Sequence, residues 1–111
     1  MSLNFDEHER PYETRSGTPS LCIELENVSH LFPYQHLSCA SYCQNASRIE
    51  AIFGDIEIKI TGESLTDIWE ALAKYELSKL SVRTSTNHDR HETKITSIII
   101  EPFTKVSAQD D

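Results

Sequence analysis

Glycine is scarce here, with 3 residues in a chain of 111. So few glycines leave no Gly-rich phosphate loop and no nucleophile elbow. Positive charge is also in deficit: 10 Lys and Arg stand against 18 Asp and Glu, a formal net charge of −8. Phosphate backbones and anionic lipid surfaces need a cationic footprint, so nucleic acid and membrane are disfavoured as partners. No apolar run approaches membrane-spanning length, and no basic-then-apolar leader opens the chain. Cysteine is both rare and odd in number: Cys22, Cys39 and Cys43. An odd count does not suit an intramolecular disulfide framework, and the expectation is a cytoplasmic protein with reduced thiols.

What is present is a hairpin signal of unusual consistency. In Arg48 to Ile60, RIEAIFGDIEIKI, a turn at Gly54-Asp55 sets Phe53 opposite Ile56, Ala51 opposite Ile58 and Ile49 opposite Ile60. All six are apolar and share one face. The other face pairs Glu50 with Lys59 and Ile52 with Glu57. A two-residue loop with Gly first suits a type II′ turn, which needs φ > 0 at that position.

Before the hairpin, Leu21, Ile23 and Leu25 alternate with Cys22, Glu24 and Glu26, the period of a half-buried strand. The segment HLFPYQHL, 30–37, is aromatic and broken by Pro33, so it is expected as a loop packed on the body. Ser38 to Cys43 is the next strand, and its register is open. A four-residue loop turns Ala40 and Tyr42 to the core face, whereas a three-residue loop turns Cys39, Ser41 and Cys43 there.

After Ile60 the period changes to 3.6. Leu65, Ile68, Trp69 and Leu72 form one apolar stripe. Ser64 is the expected N-cap, Asp67 lies near the positive end of the helix dipole and Lys74 near its negative end. The helix is expected to stop around Tyr75 to Leu77. Leu80 and Val82 suggest a further strand, and Ile95 to Glu101 the last, stopped by Pro102.

The predicted class is therefore α+β, order ββββαββ. A mostly antiparallel sheet of five to six strands carries one amphipathic helix on one face. The expected organisation is a flexible segment 1–19, one domain 20–102, and a flexible tail 103–111. One short helix covers only part of such a sheet, so apolar surface is left over.

Chemistry-bearing clusters are few. His30, His36, Cys39 and Cys43 are zinc-type ligands in one window. Cys39 and Cys43 on one face of a strand would be ~13 Å apart, too far to share a metal or form a direct disulfide. The run NHDRHE, 87–92, brings His88, Asp89, His91 and Glu92 together without helical i, i+4 histidine spacing, and a solvated connector explains it. Trp69 reads as core. The combined expectation is an acidic domain acting by protein contact, with itself as a homodimer or with another protein. Its candidate surface is Leu31, Phe32, Tyr34 and Ile99. No cofactor, metal site or catalytic group is expected. Two alternatives differ in kind: a metal-binding or enzymatic domain built on the His30, His36, Cys39 and Cys43 window, and an acidic inhibitor of a basic target.

Overall fold

The computed structural model describes residues 11–82 and 93–103. Among the described residues, eight strands and one helix form a mixed α+β fold in two four-stranded sheets. The strands are β1 Tyr12–Thr14, β2 Ser20–Glu24, β3 Ser29–Pro33, β4 Leu37–Cys43, β5 Arg48–Phe53, β6 Ile56–Glu63, β7 Leu77–Ser81 and β8 Lys94–Pro102. A 3-10 turn, Tyr34–His36, separates β3 from β4, and helix α1, Thr66–Ala73, separates β6 from β7. The first sheet has the order β1-β7-β2-β3 and the second β4-β5-β6-β8. Every pairing is antiparallel except β2 with β7.

The α+β class agrees with the sequence and the order roughly so: β1 and β3 are added before the helix, giving ββββββαββ, and the strands divide between two sheets instead of filling one. The division falls at Pro33 and the 3-10 turn, which stop β3 and send the chain into the second sheet. Aromatic side chains close the gap between the sheets. Phe32 of β3 meets Phe53 of β5 with ring centroids 5.4 Å apart, and Tyr34 meets Phe53 at 6.1 Å. The inner faces of both sheets and the apolar face of α1 belong to a single core, which includes Leu21, Ile23, Ile49, Ile58, Ile60, Ile68, Leu72 and Ile95.

The β5–β6 hairpin has the register read from the sequence: Phe53 opposite Ile56, Ala51 opposite Ile58, Ile49 opposite Ile60. Gly54 lies at φ 62° and no positive φ occurs at Asp55, as in a type II′ turn. Residues 44–47 form a four-residue loop, so Tyr42 faces Ile49 and Ala40 faces Ala51. Ala40 and Tyr42 therefore point to the core, and Cys39, Ser41 and Cys43 point out.

Three expectations are corrected. First, the segment up to residue 19 is tied down from residue 11 onward. Tyr12–Thr14 pairs with β7, the Ser81 amide donates to the Pro11 carbonyl, and the Tyr34 amide donates to the Pro19 carbonyl. A strand of 3 residues is too short to show a period. Second, Ser64 is not the N-cap. Leu65 occupies that position, without a side-chain hydrogen bond, because it is drawn into the core, while Ser64 takes φ 54° to turn the chain out of β6. Third, α1 ends at Ala73, earlier than expected. The Glu76 amide reaches the Ala71 carbonyl at 2.8 Å and the Tyr75 amide reaches that of Leu72 at 3.0 Å, a Schellman closure with Tyr75 at φ 61°.

Candidate interaction surface

The four residues expected at a contact surface divide into two pairs. Phe32 and Tyr34 are core residues, 8% and 4% exposed, so they cannot form a docking patch. Alternation along β3 explains the split: Phe32 points inward, and its neighbour Leu31 points out and is 66% exposed. Ile99 is 47% exposed at the middle of β8, on the outer face of the second sheet. Leu31 and Ile99 thus lie on different sheets and do not form one patch.

The outer face of the second sheet follows from the registers as three rows across the strands. Cys39, Ile52, Glu57 and Glu101 form one row; Ser41, Glu50, Lys59 and Ile99 form the next; Cys43, Arg48, Thr61 and Ser97 form the third. Glu57 and Glu101 stand directly opposite each other, an unfavourable pair. Lys59 offsets them, with its Nζ 3.1 Å from Glu101 Oε2. The hydrogen bond and charge of Glu101 raise the Lys59 pKa above its usual value, with Glu57 adding to the effect. Arg48 Nε lies 2.9 Å from Glu50 Oε2. Both pairs are solvent-accessible and contribute little to stability.

The edges of this sheet are its distinctive feature. Among the described residues, β4 pairs only with β5, and β8 only with β6. Backbone hydrogen bonds at the hairpin end reveal which groups each edge presents. The Phe103 amide donates to the Asp55 carbonyl at 2.7 Å. Antiparallel ladders alternate, so the backbone groups of Ser97, Ile99 and Glu101 face β6, and those of Ile98 and Ile100 face the free edge. Likewise the Gly54 amide donates to the His36 carbonyl at 2.8 Å. By the same alternation Glu50 and Arg48 are bonded to Ser41 and Cys43, which leaves the backbone groups of Ala40 and Tyr42 facing the free edge of β4.

The His/Cys window is not drawn together. His30 lies on β3 opposite Ile23, its ring stacked on Phe32 at 6.1 Å. Cys39 and Cys43 project from the outer face of β4 in the other sheet, and His36 sits exposed on the 3-10 turn. Among the described residues, no three His, Cys, Asp or Glu side chains are grouped so as to hold a metal ion. Cluster 87–92 lies outside the described residues, as do residues 104–111 of the expected tail. The described residues contain no helix long and apolar enough to cross a membrane.

The described residues line two open recesses. One of about 490 Å³ is lined by Ser38, Cys39, Ile52, Gly54, Asp55 and Phe103 at the hairpin end of the second sheet. The other, about 530 Å³, is lined by Glu24, Leu25, Glu26, Ser81 and Val82. Neither gathers convergent polar groups of the kind that orient a small ligand. Trp69, expected in the core, is half-buried at the edge of the helix stripe, its ring 5.8 Å from that of Tyr42. The outward placement of Cys39 and Cys43 is not fixed by the sequence, because it turns on one residue of loop length. No protein family matches this chain, and no curated protein or solved structure is significantly similar to it.

Proposed function

We propose that this domain acts by protein contact, and that its partner is a second copy of itself bound through the free edge of β8. The observation that carries this reading is the edge itself. Nine residues, Lys94–Pro102, present a strand whose centre, Ser97 to Ile100, has no charge and no proline. Natural edges are usually blunted by such residues, and an unblunted one is a template for pairing.

The strand also matches itself. In a two-fold antiparallel pairing centred on Ile99, Ile98 meets Ile100 of the second copy through the outward-facing backbone groups. Ile99 meets Ile99, and Ser97 meets Glu101. No like charges are opposed, and Ile98 and Ile100, only partly buried at the rim of the core, gain cover. A closed two-fold dimer is the commonest assembly of soluble chains.

Mass in solution under reducing conditions tests the reading. The wild type is expected to run as a dimer, and Ile99→Lys as a monomer with unchanged circular dichroism. A wild type that stays monomeric at high concentration rejects self-association, and an Ile99→Lys dimer rejects this edge.

A further inference from the structure

The second free edge carries a different chemistry. β4 reads Leu-Ser-Cys-Ala-Ser-Tyr-Cys, with no Asp, Glu, Lys or Arg, in a chain of net charge −8. A copy of this chain can therefore approach along β4 without opposing charge to charge on the strand. Ala40 and Tyr42 turn their backbone donors and acceptors to that edge, as the ladder alternation requires. Cys39 and Cys43 are exposed, unpaired by any disulfide, and on the same face, symmetric about Ser41.

This symmetry has a geometric consequence. When two β4 strands pair antiparallel about Ser41, Ala40 of one meets Tyr42 of the other in hydrogen-bonded pairs. Cys39 then meets Cys43 in a pair without hydrogen bonds, where Cα atoms approach to about 4.5 Å. A disulfide accepts Cα separations of about 4.4–6.8 Å. Within one chain the same two thiols are ~13 Å apart along the strand and cannot join. We propose that Cys39 and Cys43 are an intermolecular disulfide site, joining β4 to β4 of a second copy through two symmetric Cys39–Cys43 bridges when a hydroperoxide oxidises the thiols.

The chemistry balances without help from another group. One thiolate attacks a peroxide oxygen, the O–O bond breaks, and a sulfenic acid and hydroxide form. The facing thiolate then attacks that sulfur, the S–S bond forms, and the S–O bond breaks to release a second hydroxide. The two thiol protons convert both hydroxides to water. Each bridge thus consumes two thiols and one hydrogen peroxide. This site is independent of β8. Both edges belong to one sheet, so the two pairings together continue that sheet from copy to copy.

The test is hydrogen peroxide treatment of the full chain, followed by denaturing electrophoresis without reductant and mass spectrometry of the linked peptides. Wild type and Cys22→Ser are expected to give a covalent dimer whose linkage is Cys39 to Cys43. Cys39→Ser alone and Cys43→Ser alone are each expected to lose it, because both bridges need one thiol of each kind. Mixing the two variants restores the dimer through a single bridge. Ile99→Lys leaves it intact, which separates failure of this site from failure of the β8 contact. Covalent dimer from either single variant as complete as from the wild type means random collision and overturns the proposal. So does the absence of a covalent dimer, or a linkage through Cys22.

Discussion

The ring of Tyr75 lies flat on the ring of Tyr34, with centroids 4.8 Å apart and planes 6° from parallel. The contact accounts for an unusual choice of residue. Tyr75 closes α1 in the left-handed region, at φ 61°, where glycine is the common occupant. A side chain there costs about 1–2 kcal/mol, and an aromatic pair returns about 0.5–1.5 kcal/mol beyond its area. Tyr75→Ala keeps the strain and loses the stack, so it should destabilise by roughly 1 kcal/mol. Tyr75→Gly loses both and should be close to neutral. Urea midpoints of the two variants check this, and the expected order, Gly above Ala, is the reverse of helix propensity.

Beneath that stack the Tyr34 hydroxyl donates to the Leu77 carbonyl at 2.6 Å and ties the 3-10 turn to β7. Burial pushes its pKa well above the usual 10.0. In the unfolded chain the same group ionises near pH 10. Above that pH the folded state holds more protons than the unfolded state, so stability falls as pH rises. Tyr34→Phe should cost about 1–2 kcal/mol at pH 7, since a buried carbonyl loses its donor. The gap between wild type and variant should narrow above pH 10. Denaturant unfolding at neutral and alkaline pH measures it, and a gap that widens with pH would contradict the buried neutral phenol.

What the sequence reveals of this fold, and what it hides, depends on parity. The β5–β6 hairpin is legible because it alternates without a break from Ile49 to Ile60. Three other strands break their alternation at a bulge. Leu37 and Ala40, Leu77 and Leu80, and Ile95 and Ile98 all face inward although the members of each pair are spaced i, i+3. The extra residue is Ser38, Ser78 or Thr96. Each hydroxyl donates to a carbonyl of the partner strand, that of Ile52 at 3.3 Å, Glu13 at 3.1 Å and Thr61 at 3.1 Å respectively. An i, i+3 apolar spacing in isolation is a helical signal, so a bulged strand is hard to read. β3 is hidden differently: Pro33 stands at its last position, and a proline inside an aromatic run is a loop signal. Of the candidate surface, alternation puts Ile99 on the opposite face from Ile98 and Ile100, and an aromatic segment packed on the body agrees with the burial of Phe32 and Tyr34, but what those two pack against is not legible. Their burial depends on the second sheet, which local pattern does not disclose.

The bulge at Thr96 makes a second glycine indispensable. Gly62 faces Ile95 where the β6–β8 register shifts. A Cβ at Gly62 would collide with the Lys94 carbonyl oxygen and come within 2.9 Å of Ile95 Cα, both backbone atoms that cannot rotate away. Gly62→Ala should therefore cost roughly 2–3 kcal/mol, as overpacking does. Gly54→Ala is the contrasting case. Nothing lies within 4 Å of a Cβ there, and only the φ of 62° resists it. It should cost about 1 kcal/mol. Thermal midpoints of the two alanine variants test the difference, and equal losses would mean that the close approach at Gly62 relaxes freely.

Phe32 and Leu31 are adjacent in β3 and should respond oppositely to truncation. Phe32 fills the space between the sheets against Phe53, and its removal leaves a cavity where the two layers meet. Phe32→Ala should cost about 3–5 kcal/mol. Leu31 stands out from the edge strand of the first sheet, opposite Cys22. Leu31→Ser should change stability by less than about 0.5 kcal/mol. Both side chains belong to the first sheet and the β8 edge to the second, so both variants, where folded, should keep the mass of the wild type in solution. Denaturant melts and light scattering read the two effects separately. A large loss from Leu31→Ser would place that side chain under cover, and a change of mass in it would move the contact surface from the second sheet to the first.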